Sequence, residues 1–139
     1  MSMFKIFDIS GSAVSAQSQR LNTVASNLAN VDTVAGPDGK AYKARQVTFQ
    51  TVLMNTGDGS PGAGVKVSGV SEDQTPGRRV HEPSSPNADA DGYVTYSNVN
   101  AVDEMVNMIS ASRSYQNNIE VMNTAKTLLM KTLQMGQGG

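Results

Sequence analysis

Few residues of this chain carry types and spacings that could do chemistry, and each has a weakness. Gly57-Asp58-Gly59-Ser60-Pro61-Gly62 satisfies G-x-G-x-x-G after an expected strand. A dinucleotide site needs a helix to begin there, so that its first amides face the pyrophosphate. Here Pro61 and then Val65-Lys66-Val67 continue as strand, which makes the motif a hairpin loop. Asn87-Ala88-Asp89-Ala90-Asp91-Gly92 imitates the start of a calcium loop, with oxygen side chains on alternate positions and glycine at the bend. The twelfth position is Asn98, which cannot supply the bidentate carboxylate such loops use, so a turn closed by side-chain-to-backbone hydrogen bonds is the better reading. His81 is the only histidine, and no G-x-S-x-G elbow offers it a nucleophile. The expectation is a chain with no catalytic residues, no metal site and no cofactor. A calcium-binding module is kept as a rival reading.

Composition narrows the classes further. Hydrophobic residues make up 38% and aromatics 5% of 139 residues, enough for a thin core only. The formal net charge of −1 leaves no basic footprint for nucleic acid and no polybasic membrane patch. With no cysteine, disulfides and thiolate metal sites are impossible. The N-terminus, Met1-Ser2-Met3-Phe4-Lys5-Ile6-Phe7-Asp8, lacks the apolar run of a secretory signal, and no segment reaches the roughly 20 apolar residues of a membrane span. Export, if it occurs, is expected to proceed without a cleaved signal peptide.

Three zones, 1–33, 34–99 and 100–139, organise the chain: a helix from about Phe4 to Asn30, a small β module, and a second helix from about Val102 to Met135. In the first, Phe7, Val14, Leu21 and Leu28 recur every seven residues, with Val24, Ala25 and Val31 on or beside the stripe and Gly11 and Gln17 interrupting it. Asp8 and Ser10 are candidate N-caps, and Asn30, Asp32, Gly36 and Pro37 stop the helix. In the last zone Asn100 can cap, and Asp103 and Glu104 suit the first turn. Met108, Tyr115, Met122 and Leu129 are seven apart, and a parallel line runs through Met105, Ser112, Ile119, Lys126 and Leu133. Gly136, Gly138 and Gly139 are expected to end this helix. Between the helices, Tyr42–Leu53 alternates with Val47, Phe49 and Leu53 on one face, and Val65–Val67, Arg79–His81 and Gly92–Tyr96 are further strands. The expected fold class is α+β: two long terminal helices packed as a coiled-coil-like pair, with a small antiparallel β module inserted between them.

The distribution of charge points outward. From Ile9 through Val31 the only charged residue is Arg20, and from Met105 through Ala125 only Arg113 and Glu120 are charged. A solvated helix normally shows Lys and Glu on its wet face. These helices carry Ser, Thr, Asn, Gln and Ala there instead. Packing by neighbouring subunits explains this; an ordinary two-helix hairpin and a partly disordered chain are the alternatives.

The residues also resemble the flagellar rod and hook protein family along nearly the whole chain. Ala16-Gln17, Arg20-Leu21 and Val24-Ala25-Ser26-Asn27-Leu28-Ala29-Asn30-Val31-Asp32-Thr33 look like its N-terminal signature. Gly36-Pro37-Asp38-Gly39, Tyr42-Lys43-Ala44 and Glu82-Pro83 through Val94 are similar to a proximal-rod member's continuation, and Glu104 through Lys126 to the family's closing helix. Ser97 departs from the proline expected before Asn98-Val99.

The resemblance implies an axial subunit of the bacterial flagellar basal body, in the rod that crosses the periplasm and transmits torque from motor to hook. It implies export by the flagellar type III apparatus, and as partners other copies of the chain and the rod proteins FlgB, FlgF and FlgG. An axial subunit of a related secretion apparatus is the runner-up. The residues favoured at the assembly interface are Leu21, Asn27, Leu28, Asn30, Arg113, Tyr115, Ile119 and Met122. Neither catalysis nor a membrane span is expected.

Overall fold

A computed structural model describes residues 3–55, 59 and 61–137. Helix α1 runs from Met3 to Ala29, strands β1 and β2 from Arg45 to Asn55 and Pro61 to Glu72, β3 and β4 from Arg79 to His81 and Tyr93 to Thr95, and helix α2 from Ala101 to Gln137. The fold is α+β, with two long terminal helices and two pairs of strands between them. Strands β1 and β2 form one two-stranded sheet, and β3 and β4 a second. In the second, antiparallel sheet Arg79 faces Thr95, Val80 faces Val94 and His81 faces Tyr93. Residues 57, 58 and 60 of the glycine motif at 57–62, and the glycines at 138 and 139, lie outside the described residues.

The chain divides into two compact units. One comprises Met1–Gln19, Thr48–Gly69 and Ser110–Gly139; the other comprises Arg20–Val47 and Val70–Ile109.

In the first unit β2 approaches α1 closely because its glycines leave room. A Cβ on Gly62 would stand 3.2 Å from Cε of the buried Lys5, and one on Gly64 would stand 2.8 Å from Ser12 Oγ. That hydroxyl donates to Ile9 O at 2.7 Å and accepts the Val65 amide at 3.1 Å, tying strand to helix. Helix α1 begins at Met3, so Asp8 and Ser10 are interior residues and not caps. Ser10 is buried. Gly11 sits mid-helix with open space where a Cβ would stand and without a positive φ. Gly11→Ala is therefore expected to raise the stability of the free chain by about 0.5–1 kcal/mol, read as a higher urea midpoint at unchanged slope.

On α2 the start is as the sequence indicates: Asn100 Oδ1 accepts the Val102 and Asp103 amides at 3.1 and 3.3 Å. The end is later, since Gly136 is still helical. The row Met108, Tyr115, Met122 and Leu129 is half-buried, as its spacing suggests. The second row differs from expectation. Met105 and Leu133 are more than half exposed, and Ile119 is exposed as well. The inward row one residue earlier is Glu104, Ala111, Asn118 and Ala125, of which Ala111 is fully buried. These two rows keep the heptad spacing, but one is built from small and polar residues that allow close approach. On α1, likewise, Phe7, Val14, Leu21 and Leu28 are half-buried, while the most buried side chains include Ala16, Val24 and Asn27. Ala25 is exposed.

The strand β1 also departs from the alternation read in sequence. Val47 is half-buried, but Phe49 and Leu53 are exposed, and Val52 and Met54 are the half-buried residues toward its end. The inward parity therefore changes along the strand.

Candidate assembly interface

In the second unit a polar network fixes how α1 leaves the helix. Asn27 is fully buried in the last turns of α1. Its Nδ2 donates to Arg45 O at 2.8 Å, and its Oδ1 accepts from Tyr42 Oη at 2.9 Å and from the Arg45 amide at 3.0 Å. Asn98 does the same from the approach to α2: its Oδ1 accepts the Ala44 amide, and its Nδ2 donates to Asp73 O and Thr75 O at 2.8 and 2.9 Å. The segment Tyr42–Arg45 is thus held from both sides by carboxamides, which offer donors and an acceptor in one plane. Burial raises the Tyr42 phenol above its ordinary range, against the lowering effect of Arg45; Glu104 and Glu72 add to the rise.

Ser97 completes the frame. Its Oγ donates to Val31 O at 2.7 Å and its amide donates to Thr33 O at 3.2 Å, beside the Val34–Tyr96 bridge. A proline here would lack that amide. Asn30 closes the end of α1: its amide reaches Ser26 O, its Nδ2 donates to the same carbonyl at 2.8 Å, and Thr33 Oγ1 donates to its Oδ1. Arg20 Nη2 donates to Asn107 Oδ1 at 3.2 Å, so the sole charged residue of 9–31 joins α1 to α2.

The turn that imitates a calcium loop is closed by its own carboxylate. Asp89 Oδ1 accepts the amides of Asp91 and Tyr93 at 3.0 and 2.9 Å, and Oδ2 meets Arg79 at 2.7 Å. The Tyr93 amide chiefly, with Arg79 and the Asp91 amide, holds this carboxyl below its usual range, against the opposing effect of burial. Gly92 takes φ 83°, the left-handed conformation the turn requires. His81 stands edge-on to Tyr93 at 5.0 Å between centroids, on an exposed strand.

The residues favoured at the interface fall into three groups. Asn27 is buried and bonded within the chain, so it positions Tyr42–Arg45 and offers no surface. Leu21, Leu28, Asn30, Tyr115 and Met122 are half-buried. Arg113 and Ile119 are exposed. Sequence reasoning passed over Asn98, Tyr42 and Arg20 as structural anchors. The signal available for Asn98 was an uncharged polar residue just ahead of the cap Asn100, which hydropathy does not register.

The surface of α2 is the more telling part. Val102, Met105, Val106 and Ile109 stand at i, i+3, i+4 and i+7, each more than half exposed. Further along, Ile6 of α1 lines a largely apolar groove together with Asn117, Glu120, Val121, Thr124, Ala125 and Leu128 of α2. From Lys126 to Gln137 only Leu129 is better than exposed. No helix among the described residues is long and apolar enough to cross a membrane.

Comparison with known proteins defines the class. The family described as "Flagella basal body rod protein" matches residues 7–37, and "Flagellar basal body rod FlgEFG protein C-terminal" matches residues 90–135. Among curated relatives, the flagellar basal-body rod protein FlgC of Escherichia coli O6:H1 is 57% identical over 137 residues, covering 99% of this chain and all of that protein. FlgC of Salmonella typhimurium is 56% identical over the same share, and FlgC of Bacillus subtilis 37% identical over 150 residues, again with 99% and 100% covered. This chain belongs to the FlgC family of flagellar basal-body rod proteins.

Proposed function

We propose that the chain is a structural subunit of the proximal rod, polymerising through its terminal helices into the shaft that transmits torque from motor to hook. In this reading residues 1–33 and 100–139 form the rod core and residues 34–99 an outer module. Its partners are other copies of itself and FlgB, FlgF and FlgG. It reaches the rod across the periplasm through the flagellar type III apparatus and performs no catalysis.

One observation carries the reading: helices whose stretches Ile9–Val31 and Met105–Ala125 carry only Arg20, Arg113 and Glu120 as charges leave Val102, Met105, Val106 and Ile109 uncovered, together with Val121, Leu128, Met130 and Leu133. Exposed apolar stripes of this extent on a soluble monomer mark surfaces that another protein covers. Uncharged polar residues between them suit close packing on several sides. Leu21, Leu28, Asn30, Arg113, Tyr115, Ile119 and Met122 are the proposed contact residues, and Asn27 supports them from within.

Deleting the gene and imaging purified basal bodies tests the assignment. The expected result is hook-less bodies without a completed rod, restored by the intact chain. A complete rod in the deletion strain would overturn it.

A further inference from the structure

Strands β1 and β2 form a two-stranded sheet, so each has one edge that no other strand covers. The two edges are not alike. On β2, Gly62 and Gly64 lie against Lys5 and Ser12 of α1, and the Val65 amide donates to Ser12 Oγ. On β1, Arg45 is satisfied by Asn27, which accepts its amide and donates to its carbonyl. Further along the strand this cover ends: among the described residues, no backbone group of Thr48–Met54 bonds outside the sheet. Thr48, Phe49, Gln50, Thr51 and Leu53 are exposed, Leu53 at 81%. Natural edge strands are blunted by charge, by proline or by brevity. The run Thr48–Met54 has no charge, no proline and no glycine, in a strand of 11 residues.

We propose that the exposed edge of β1 pairs antiparallel with β1 of a second copy, about a two-fold axis through Thr51. The placing of the exposed apolar side chains selects this partner and this register. Phe49 and Leu53 stand two residues to either side of Thr51. A two-fold axis there sets Phe49 of each copy directly opposite Leu53 of the other, and Thr51 opposite itself. Side chains so opposed lie close enough to cover one another. Both Phe–Leu pairs fall on one face with the threonines, because alternate residues of a strand share a face. Neutrality selects the same occupant: a charged strand would have to desolvate its charges beside Phe49 and Leu53, whereas a second Thr48–Met54 brings none. The run lies within one compact unit. The same patch serves both copies, so the contact is isologous and closes at two chains. It belongs to the free subunit and is distinct from the contacts that extend a shaft.

With no native cysteine, single cysteines report the register in the purified full-length chain. Under oxidation, Thr51→Cys alone is expected to give a disulfide-linked dimer. Phe49→Cys alone and Leu53→Cys alone leave their thiols roughly 13 Å out of register, beyond disulfide reach. Mixed, these two variants are expected to cross-link at least tenfold more than either by itself. In sedimentation equilibrium the parent chain is expected to shift from one chain toward two as concentration rises. Thr51→Lys sets like charges opposite each other on the axis and is expected to weaken association about fivefold, while Thr51→Val retains it.

A parent chain that stays monomeric at every soluble concentration would overturn the proposal. So would a dimer that ignores both Thr51→Lys and the cysteine register, since its contact would lie elsewhere, for instance on the apolar stripe of α2. If Thr51→Lys does not fold, the cysteine pattern alone decides. The rod assignment is tested apart from all of these, by the deletion strain.

Discussion

Asn27→Ala is expected to lower the stability of the free chain by about 3 kcal/mol, among the larger effects a single substitution can have. The side chain is fully buried and makes three hydrogen bonds, all to the Tyr42–Arg45 segment. Truncation leaves the Tyr42 hydroxyl and both backbone groups of Arg45 without their partner. The cost of stranding such groups is about 1–3 kcal/mol each, and partial access of water reduces the sum. Urea unfolding followed by circular dichroism gives the number. Tyr42→Phe serves as the graded control: it removes one donor and keeps both Arg45 bonds, for a loss of about 1 kcal/mol. If Asn27→Ala unfolded within about 0.5 kcal/mol of the parent chain, the carboxamide would not be the anchor described here.

Gly77→Ala is the second large effect, and its cause is steric. A Cβ at this position would run into the backbone carbonyl oxygen of Tyr96 and stand 3.2 Å from Thr95 Cγ2. The carbonyl cannot retreat by rotating a side chain. Its residue is fixed by the Tyr96 amide donating to Arg78 O at 2.7 Å and by the bridge to Val34. Overpacking against an immovable backbone costs about 1–3 kcal/mol, and the upper end is expected here. Gly69→Ala is the matched control. Its Cβ would meet nothing within 4 Å, so a change within about 0.5 kcal/mol is expected. Differential scanning calorimetry of the three chains distinguishes steric conflict from a general intolerance of substituted glycine.

What could be read in advance follows from which physical signals a sequence displays. Both helices, the cap at Asn100 and the row Met108–Tyr115–Met122–Leu129 were legible, because capping chemistry and large apolar residues at heptad spacing show plainly. The facing row was not. Glu104, Ala111, Asn118 and Ala125 have no shared hydropathy, and the larger Met105, Ile119 and Leu133 drew the line one residue off. Strand β3 matched its expected bounds, whereas the inward face of β1 changes parity, which a strict two-residue period cannot express. Among the residues favoured at the interface, Arg113 was singled out as one of two charges between Met105 and Ala125, and it is exposed. Asn27 looked like a surface residue for the same reason that Asn98 escaped notice: polar type alone does not reveal a carboxamide turned inward onto backbone.

Among the described residues the buried interior consists largely of alanine, serine and asparagine, with Val24 and Val94 as its larger aliphatic members. Unfolding such an interior wets little hydrocarbon and much amide, and these two contributions to heat capacity have opposite sign. The thermal stability curve of the lone subunit is consequently shallow and broad, so cooling and modest warming alter its free energy little. If the stripes of α2 are buried on assembly as proposed, the steep hydrocarbon contribution falls there, and growth of the polymer, more than folding of the monomer, is the step expected to respond to temperature.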